Sequence, residues 1–393
     1  MKRLILLVLI SISINTIKTE TIEEVVNFIK SCNSPKITVL PNTTIFAWDK
    51  TWKQDLVHSP NKLLFEDMKI VERLAPKDNP NRPGDKHKKV YITVHDTADY
   101  TYGADEWSRI VQRAKFESGQ PYKASYQYVV GNDGYYHMIP DDEAAYHAGD
   151  GHSPSSYFKL FPTGVKGTQP KPNITIGRYD GYYYINKKKT KIVAPRNSEG
   201  EILSDKYFVD SGLFTMIYEG EYLIGNTYYQ KTYDRIANHG GNSHSIGIES
   251  CVNYNTDVYF TWQRLAKLVA YLMDNNDIDI DRVVQHHYFS GKDCPMTIRR
   301  HKYWEFIKGL FLAELQLRKF NKMGFTIKLI DYDSKYMNSV GRIIHRDNTQ
   351  DKLLDYTVRV TDSNGRFQDV KLKTVLPAKS NIKGIKYLDE LNN

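Results

Sequence analysis

Cysteine is scarce in this 393-residue chain: only Cys32, Cys251 and Cys294 occur, too few for a disulfide scaffold. One pair plus a free thiol satisfies the arithmetic, and the odd count asks whether one cysteine has a chemical task. Long apolar runs are scarcer still. The one that stands out, Leu4–Ile14, follows Lys2 and Arg3 and gives way to polar Asn15, Thr16 and Lys18. As a helix it would rise about 16 Å, far short of a ~30 Å hydrocarbon core. It therefore reads as an export signal (residues 1–19, cleavage within Asn15–Glu20) rather than a stable membrane insertion; the weak small-x-small pattern leaves an uncleaved anchor as the alternative. Charge of one sign is also lacking, since 54 basic residues against 46 acidic give only +8. The excess favours anionic surfaces, but the lysines are scattered and no basic stripe interleaves with aromatics, so nucleic acid is not implied. Internal repeats and low-complexity tracts are absent. What remains, 40% hydrophobic and 25% charged, is the composition of an ordinary globular protein.

The pattern along the chain changes several times. Residues 20–80 form an N-terminal extension with a helical segment near Ile22–Ile29, closed by the proline-rich loop Pro76–Gly84. From 81 to 320 strands and helices alternate. Val90, Ile92 and Val94 predict a strand ending at His95, and Trp107, Ile110, Val111 and Ala114 recur at helical spacing. Tyr126–Val130 and Tyr135–Ile139 flank the turn Gly131–Gly134 as a hairpin. Ser245–Cys251 is a short apolar strand. Leu265, Leu268, Val269 and Leu272 stripe a helix with Thr261 as its N-cap. Val283–Val284 leads into His286, and a last helix runs from about Arg299 to Leu317. Together these predict an α/β domain with a mixed central β-sheet flanked by helices. Residues 152–243, rich in tyrosine, glycine and asparagine, break the rhythm and read as short strands and loops. Residues 324–380 read as a small all-β C-terminal module, with the hairpin signal Asn364-Gly365. Asn42-Thr-Thr and Asn173-Ile-Thr match the glycosylation sequon, which matters only in a eukaryotic host.

The segment His286-His-Tyr-Phe-Ser-Gly-Lys-Asp-Cys294-Pro sets an imidazole and a thiol on either side of a turn, able to fold back toward one point. Zinc accepts both donors, and a catalytic site needs three protein ligands plus an open position. His95, at the end of a predicted strand, is well placed as the third, because α/β sheets open their sites at strand ends. Each signal alone has a plainer reading: a packed histidine, or a cysteine buried as a small hydrophobe.

Their company resembles a known family, the zinc N-acetylmuramoyl-L-alanine amidases shared by phage lysozyme-like amidases, bacterial autolysins and peptidoglycan recognition proteins. Val94-His95-Asp-Thr97 is similar to the first ligand motif. Ser125–Val130, with Asn-Asp-Gly134 and then Ile139–Glu143, resembles the substrate-side strand and hairpin. Ala145-Tyr-His147-Ala-Gly matches the His-Ala-Gly segment, Ser245–Glu249 the central strand, and His286–Pro295 the closing ligand motif. The resemblance covers residues 82–300 and leaves both ends unexplained.

It implies a secreted Zn2+ hydrolase that cuts the amide between N-acetylmuramic acid and L-alanine, with bacterial peptidoglycan as partner. The implied metal ligands are His95, His286 and Cys294. His287, seven rather than eight residues before the cysteine, is taken as a neighbour. The implied catalytic residues are Glu249 as general base and acid, and Lys292 with Tyr126 at the oxyanion. His147 is a candidate substrate contact or a structural hydrogen bond, and Thr97 borders the substrate or supports the ligand strand. Position 127 is Gln where many relatives have His, which changes a groove contact but costs no ligand. The larger departure is 152–243, an insertion expected to overhang the groove. A binding protein without activity is the competing class; such members commonly lack the cysteine that this chain keeps.

Overall fold

The computed structural model describes residues 21–381 apart from 49, 113–114, 118–119, 123, 149–159, 170–171, 178, 194–213, 226–239 and 291. The signal segment lies outside the described residues.

The centre is a six-stranded mixed sheet in the order Val283–Gln285, Tyr91–Asp96, Ser245–Ser250, Tyr128–Gly131, Gly134–His137, Ile70–Glu72. The first four strands run parallel, and the expected hairpin supplies the antiparallel step to Gly134–His137. Tyr91–Asp96 and Ser245–Ser250 are almost wholly buried along their length, as strands covered on both faces must be. Side chains alternate between the faces of a strand. Ile92, Val94, Ile246 and Ile248 point into one core, where they meet Leu265, Val269, Ile307 and Phe311 of the helices Val258–Asn276 and Trp304–Lys322. Thr93, His95, Ser245, Gly247 and Glu249 therefore share the other face. That alternation, with the parallel register Glu249↔His95, decides where the site is built.

Two boundaries differ from the sequence expectation. The helix Val258–Asn276 starts a turn early: Asp257 is its N-cap and accepts from the Phe260 N–H at 3.0 Å, while Thr261 is buried inside the first turns. The last helix starts at Trp304, because Lys302 takes φ 54° and ends the short helix Met296–Arg300; a positive φ cannot continue a right-handed helix. The helix Ala104–Gln112 carries Trp107, Ile110 and Val111 of the expected helical spacing, with Ala114 outside the described residues, and its first amides are held by the Asp133 carboxylate from the hairpin turn at 2.8–3.0 Å.

The two ends of the chain share one core. The helix Ile22–Ser31, with a capping box between Thr21 and Glu24, buries Val25, Val26 and Ile29. They pack with Leu354, Val358 and Leu372 of the antiparallel sheet Thr326–Tyr332, Lys352–Thr361, Phe367–Leu376, and with Leu317 and Phe320 of the long helix. Ile37 N–H donates to the Val375 carbonyl at 2.8 Å and Val375 N–H to Pro35 at 2.9 Å, tying the extension to that sheet. The following hairpin, Val39–Phe46 with Thr51–Val57, lies against the central domain, where the Trp52 indole N–H donates to the Val252 carbonyl at 3.2 Å.

Within 152–243 the described strands form two three-stranded antiparallel sheets around Val165, Tyr183, Ile185, Tyr222 and Ile224. An ion pair of 4.0 Å between Glu219 and Lys302 links this unit to the turn before the last helix. The three cysteines are free and buried, so the disulfide that the count allowed is not formed.

Candidate metal centre

His95 lies at the carboxyl end of Tyr91–Asp96, Glu249 is its register partner on Ser245–Ser250, and His286 follows Gln285 of the edge strand Val283–Gln285 on the other side. His286 is fixed by its own N–H, which donates to the Val94 carbonyl at 3.2 Å. The chain then turns through a short helix and returns Cys294. Asp96 pins that return: one carboxylate oxygen accepts from the Thr297 N–H at 3.0 Å, and burial pushes its pKa up to about 7. His95, His286 and Cys294 are all buried, with ligand-capable atoms within 4.8 Å of one another. Cys294 Sγ lies 3.7 Å from His95 Nδ1, and a Glu249 carboxylate oxygen lies 3.8 Å from the same nitrogen. His287 stays outside this set; its backbone N–H donates to the Cys294 carbonyl at 3.1 Å.

Hydrogen-bond inventory fixes the tautomer of His95. Ser245 Oγ lies 2.8 Å from the Gly241 carbonyl, which can only accept, so the hydroxyl donates there. It accepts from Thr93 Oγ1 at 2.7 Å and from His147 Nε2 at 3.4 Å. His147 Nδ1 is then an acceptor, and takes the Nε2–H of His95 at 3.0 Å. His95 is left with a bare Nδ1 facing Cys294 and Glu249. His147 is thus set by residues distant in sequence: Asn242 Oδ1 accepts from the N–H groups of His147 and Ala148, both at 2.7 Å, and Gly247 leaves room for the ring, since a Cβ there would come 2.8 Å from it. Gln127 is buried beneath. Its amide bridges the Gly247 N–H at 2.7 Å and the Glu143 carbonyl at 2.8 Å, a structural staple rather than a groove contact.

Electrostatically the cluster is unsatisfied. Burial lowers the pKa of both ligand imidazoles and pushes the Cys294 thiol well up, so that each is held neutral. His286 Nδ1 and one Glu249 oxygen are buried with no hydrogen-bond partner among the described residues. Burial also raises Glu249 to about 8, and the positive charge of Lys292 pulls the other way. Lys292 stands near the rim with its ammonium 4.6 Å from the centre of the Trp48 ring.

Two candidates are placed differently. Tyr126 is buried among Ala104, Met138 and Ala145, and its hydroxyl donates to the Trp107 carbonyl at 3.1 Å. Thr97 is buried; its N–H donates to the Ser250 carbonyl at 3.0 Å, and its hydroxyl has no partner among the described residues. Sequence reasoning passed over Asp96, Ser245, Asn242 and Trp48. A carboxylate adjoining a ligand histidine was the available signal for the first; the other three become visible only through long-range contacts.

A buried pair of imidazoles and a thiol at the carboxyl ends of parallel strands defines a candidate transition-metal site in a mixed α/β domain. Residues 85–297, more than half of the chain, match the family Amidase_2, N-acetylmuramoyl-L-alanine amidase, and the chain belongs to that family. It is similar to two N-acetylmuramoyl-L-alanine amidases of Bacillus subtilis (strain 168). CwlH is 25% identical over 242 residues, 61% of this chain and 60% of CwlH. XlyA is 22% identical over 229 residues, 58% of this chain and 47% of XlyA. The chain thus spans less than two thirds of the length of these relatives. Among solved structures, the catalytic domain of XlyA aligns with 62% of this chain and 99% of its own at 21% identity and a TM-score of 0.37. PlyL aligns with 62% and 96% at 17% identity and a TM-score of 0.35.

Proposed function

We propose that this chain is an exported, zinc-dependent hydrolase that cuts the amide between N-acetylmuramic acid and L-alanine in bacterial peptidoglycan. The observation that carries the reading is the convergence of His95, His286 and Cys294. Their mutual approach has no apolar purpose, and the bare His95 Nδ1, the unpartnered His286 Nδ1 and the buried thiol offer the nitrogen and sulfur donors that suit Zn2+. Export is supported by Lys2 and Arg3 before the apolar run 4–14. Among the described residues no helix is long and apolar enough to cross a membrane.

A bound zinc ion supplies Lewis acidity, lowering the pKa of water toward ~7 and polarising the amide carbonyl. The chain supplies the rest. His147 holds His95 in the tautomer that turns Nδ1 to the site. Glu249 takes the proton of the attacking water and returns it to the departing amine nitrogen. Lys292 donates N–H groups to the oxygen that gains charge as the carbonyl carbon becomes tetrahedral. Tyr126 joins Lys292 only by releasing the Trp107 carbonyl. Thr97 supports the ligand strand from beneath.

The test is incubation with purified sacculi, with and without a zinc chelator, followed by mass spectrometry. Free stem peptide with an intact L-alanine amino terminus, lost on chelation, is the expected result. Sacculus binding with no release assigns the chain to the non-catalytic recognition proteins instead.

A further inference from the structure

Trp48 is a large aromatic side chain left 62% exposed, and it lies outside the matched residues 85–297. It stands at the tip of the hairpin Val39–Phe46/Thr51–Val57. That tip is held firmly against the site. The Trp48 N–H donates to the Ala98 carbonyl at 2.9 Å, just beyond His95 and Thr97. The Phe46 N–H donates to Thr297 Oγ1 at 3.0 Å, and His301 Nε2 donates to the Thr44 carbonyl at 2.7 Å. Arg300 covers the Phe46 ring at 4.4 Å. A rigidly mounted indole turned to water at the mouth of a site is spare recognition surface.

Lys292, whose ammonium sits 4.6 Å from the centre of this ring and whose charge acts on Glu249, His95 and His286, sets the indole beside the reaction centre. The geometry points to Trp48 as the platform for a pyranose of the glycan strand, stacking against the sugar that carries the amide to be cut. This inference rests on the amidase reading above and adds to it a sugar subsite built by the N-terminal extension. The substrate has two parts that could reach the indole. A stem peptide begins at the small L-alanine, which gains little from an aromatic face. The C–H face of a pyranose and its N-acetyl methyl can cover the ring with dispersion contacts. A second aromatic pair lies beside the hairpin: Lys50 lies 4.9 Å over Tyr100, and Tyr100 stacks at 5.0 Å on Tyr254, which is 49% exposed.

The experiment compares two soluble substrates, a disaccharide-peptide and the matching lactoyl-peptide without a pyranose, in wild type, Trp48→Ala and Trp48→Phe. The readout is the ratio of kcat/KM between the substrates, which cancels any change made through Lys292. We expect the preference for the sugar-bearing substrate to fall about tenfold in Trp48→Ala, chiefly through KM, and to recover most of the way in Trp48→Phe. A ratio in Trp48→Ala within twofold of wild type overturns the inference. Should the wild-type protein cut neither soluble substrate, sacculi decide the amidase reading and the subsite is tested by binding alone. Titration with chitotetraose should then quench indole fluorescence in wild type and not in Trp48→Phe; equal quenching in both overturns the subsite as well.

Discussion

His95 Nε2 and His147 Nδ1 lie 3.0 Å apart, and the Ser245 hydroxyl beyond them gives that contact a direction. A hydrogen bond of this kind orients a ligand ring and raises its basicity, and losing one typically costs 10–100-fold in metal affinity. His147→Ala is expected to weaken zinc binding by about that factor, with activity recovering at saturating zinc. Competition against a chelating dye measures it. Unchanged zinc affinity with a raised KM would return His147 to the role of a substrate contact.

Gly247 supplies the space for that ring. An alanine Cβ would stand 2.8 Å from it, so Gly247→Ala should displace His147 and weaken zinc binding in the same direction. In a His147→Ala background the added methyl meets no imidazole, and the second substitution should add little. The double-mutant cycle reads this coupling. Simple additivity of the two losses would show that Gly247 acts elsewhere.

Metal removal should be visible in folding as well as in activity. A ligand that binds only the folded chain stabilises it by about 4 kcal/mol at a thousandfold excess over its Kd. Chelated wild type is therefore expected to melt several degrees lower, while Cys294→Ala, already lacking a ligand, responds weakly to chelator. Full activity and full zinc content in Cys294→Ala would remove the thiol from the ligand set.

Much of this site could be read from the chain before its fold was known. Apolar alternation marked the strands that carry His95 and Glu249, and the turn-rich text between His286 and Cys294 showed that the two could meet. The choice of His286 over His287 rested on resemblance, and it agrees with the ring that approaches Cys294. What stayed hidden depends on contacts between distant segments. Nothing near His147 announces Ser245, Asn242 or Gly247, so substrate contact and structural bond looked equal. Trp48 sat in mixed polar text with no periodicity. The Thr261 cap failed because Val258-Tyr-Phe is apolar enough to pass for the end of a strand, whereas the true cap, Asp257, is one polar residue before it. The shared core of the two ends joins residues separated by almost the whole chain, which no local pattern can report.

Lys292 should shape the pH profile as well as the rate. Its charge lowers the pKa of Glu249, while burial raises it. A general base works ionised, so the acidic limb of kcat/KM follows this carboxyl. Lys292→Met removes a cation, disfavours the carboxylate, and should move that limb to higher pH while lowering kcat by about 10²–10³. Loss of rate with an unmoved limb would mean that Glu249 is not the titrating base.

His58 offers a second pH effect, far from the metal. It is buried, stacks on Tyr259 at 4.4 Å between ring centres and accepts the Tyr303 hydroxyl proton at Nε2. Burial lowers its pKa from 6.5 to about 3. Between those values the unfolded chain binds a proton that the folded chain refuses, so the stability due to neutral His58 is complete above pH 6.5 and drains away as pH falls toward 3. The slope is about 1.4 kcal/mol per pH unit for one such group. Urea midpoints measured from pH 7 down to about 4.5 should therefore fall more steeply in wild type than in His58→Gln, whatever their starting stabilities. Other buried histidines titrate alike in both proteins and cancel in the difference. Parallel lines would show that His58 is protonated, or solvated, in the folded chain.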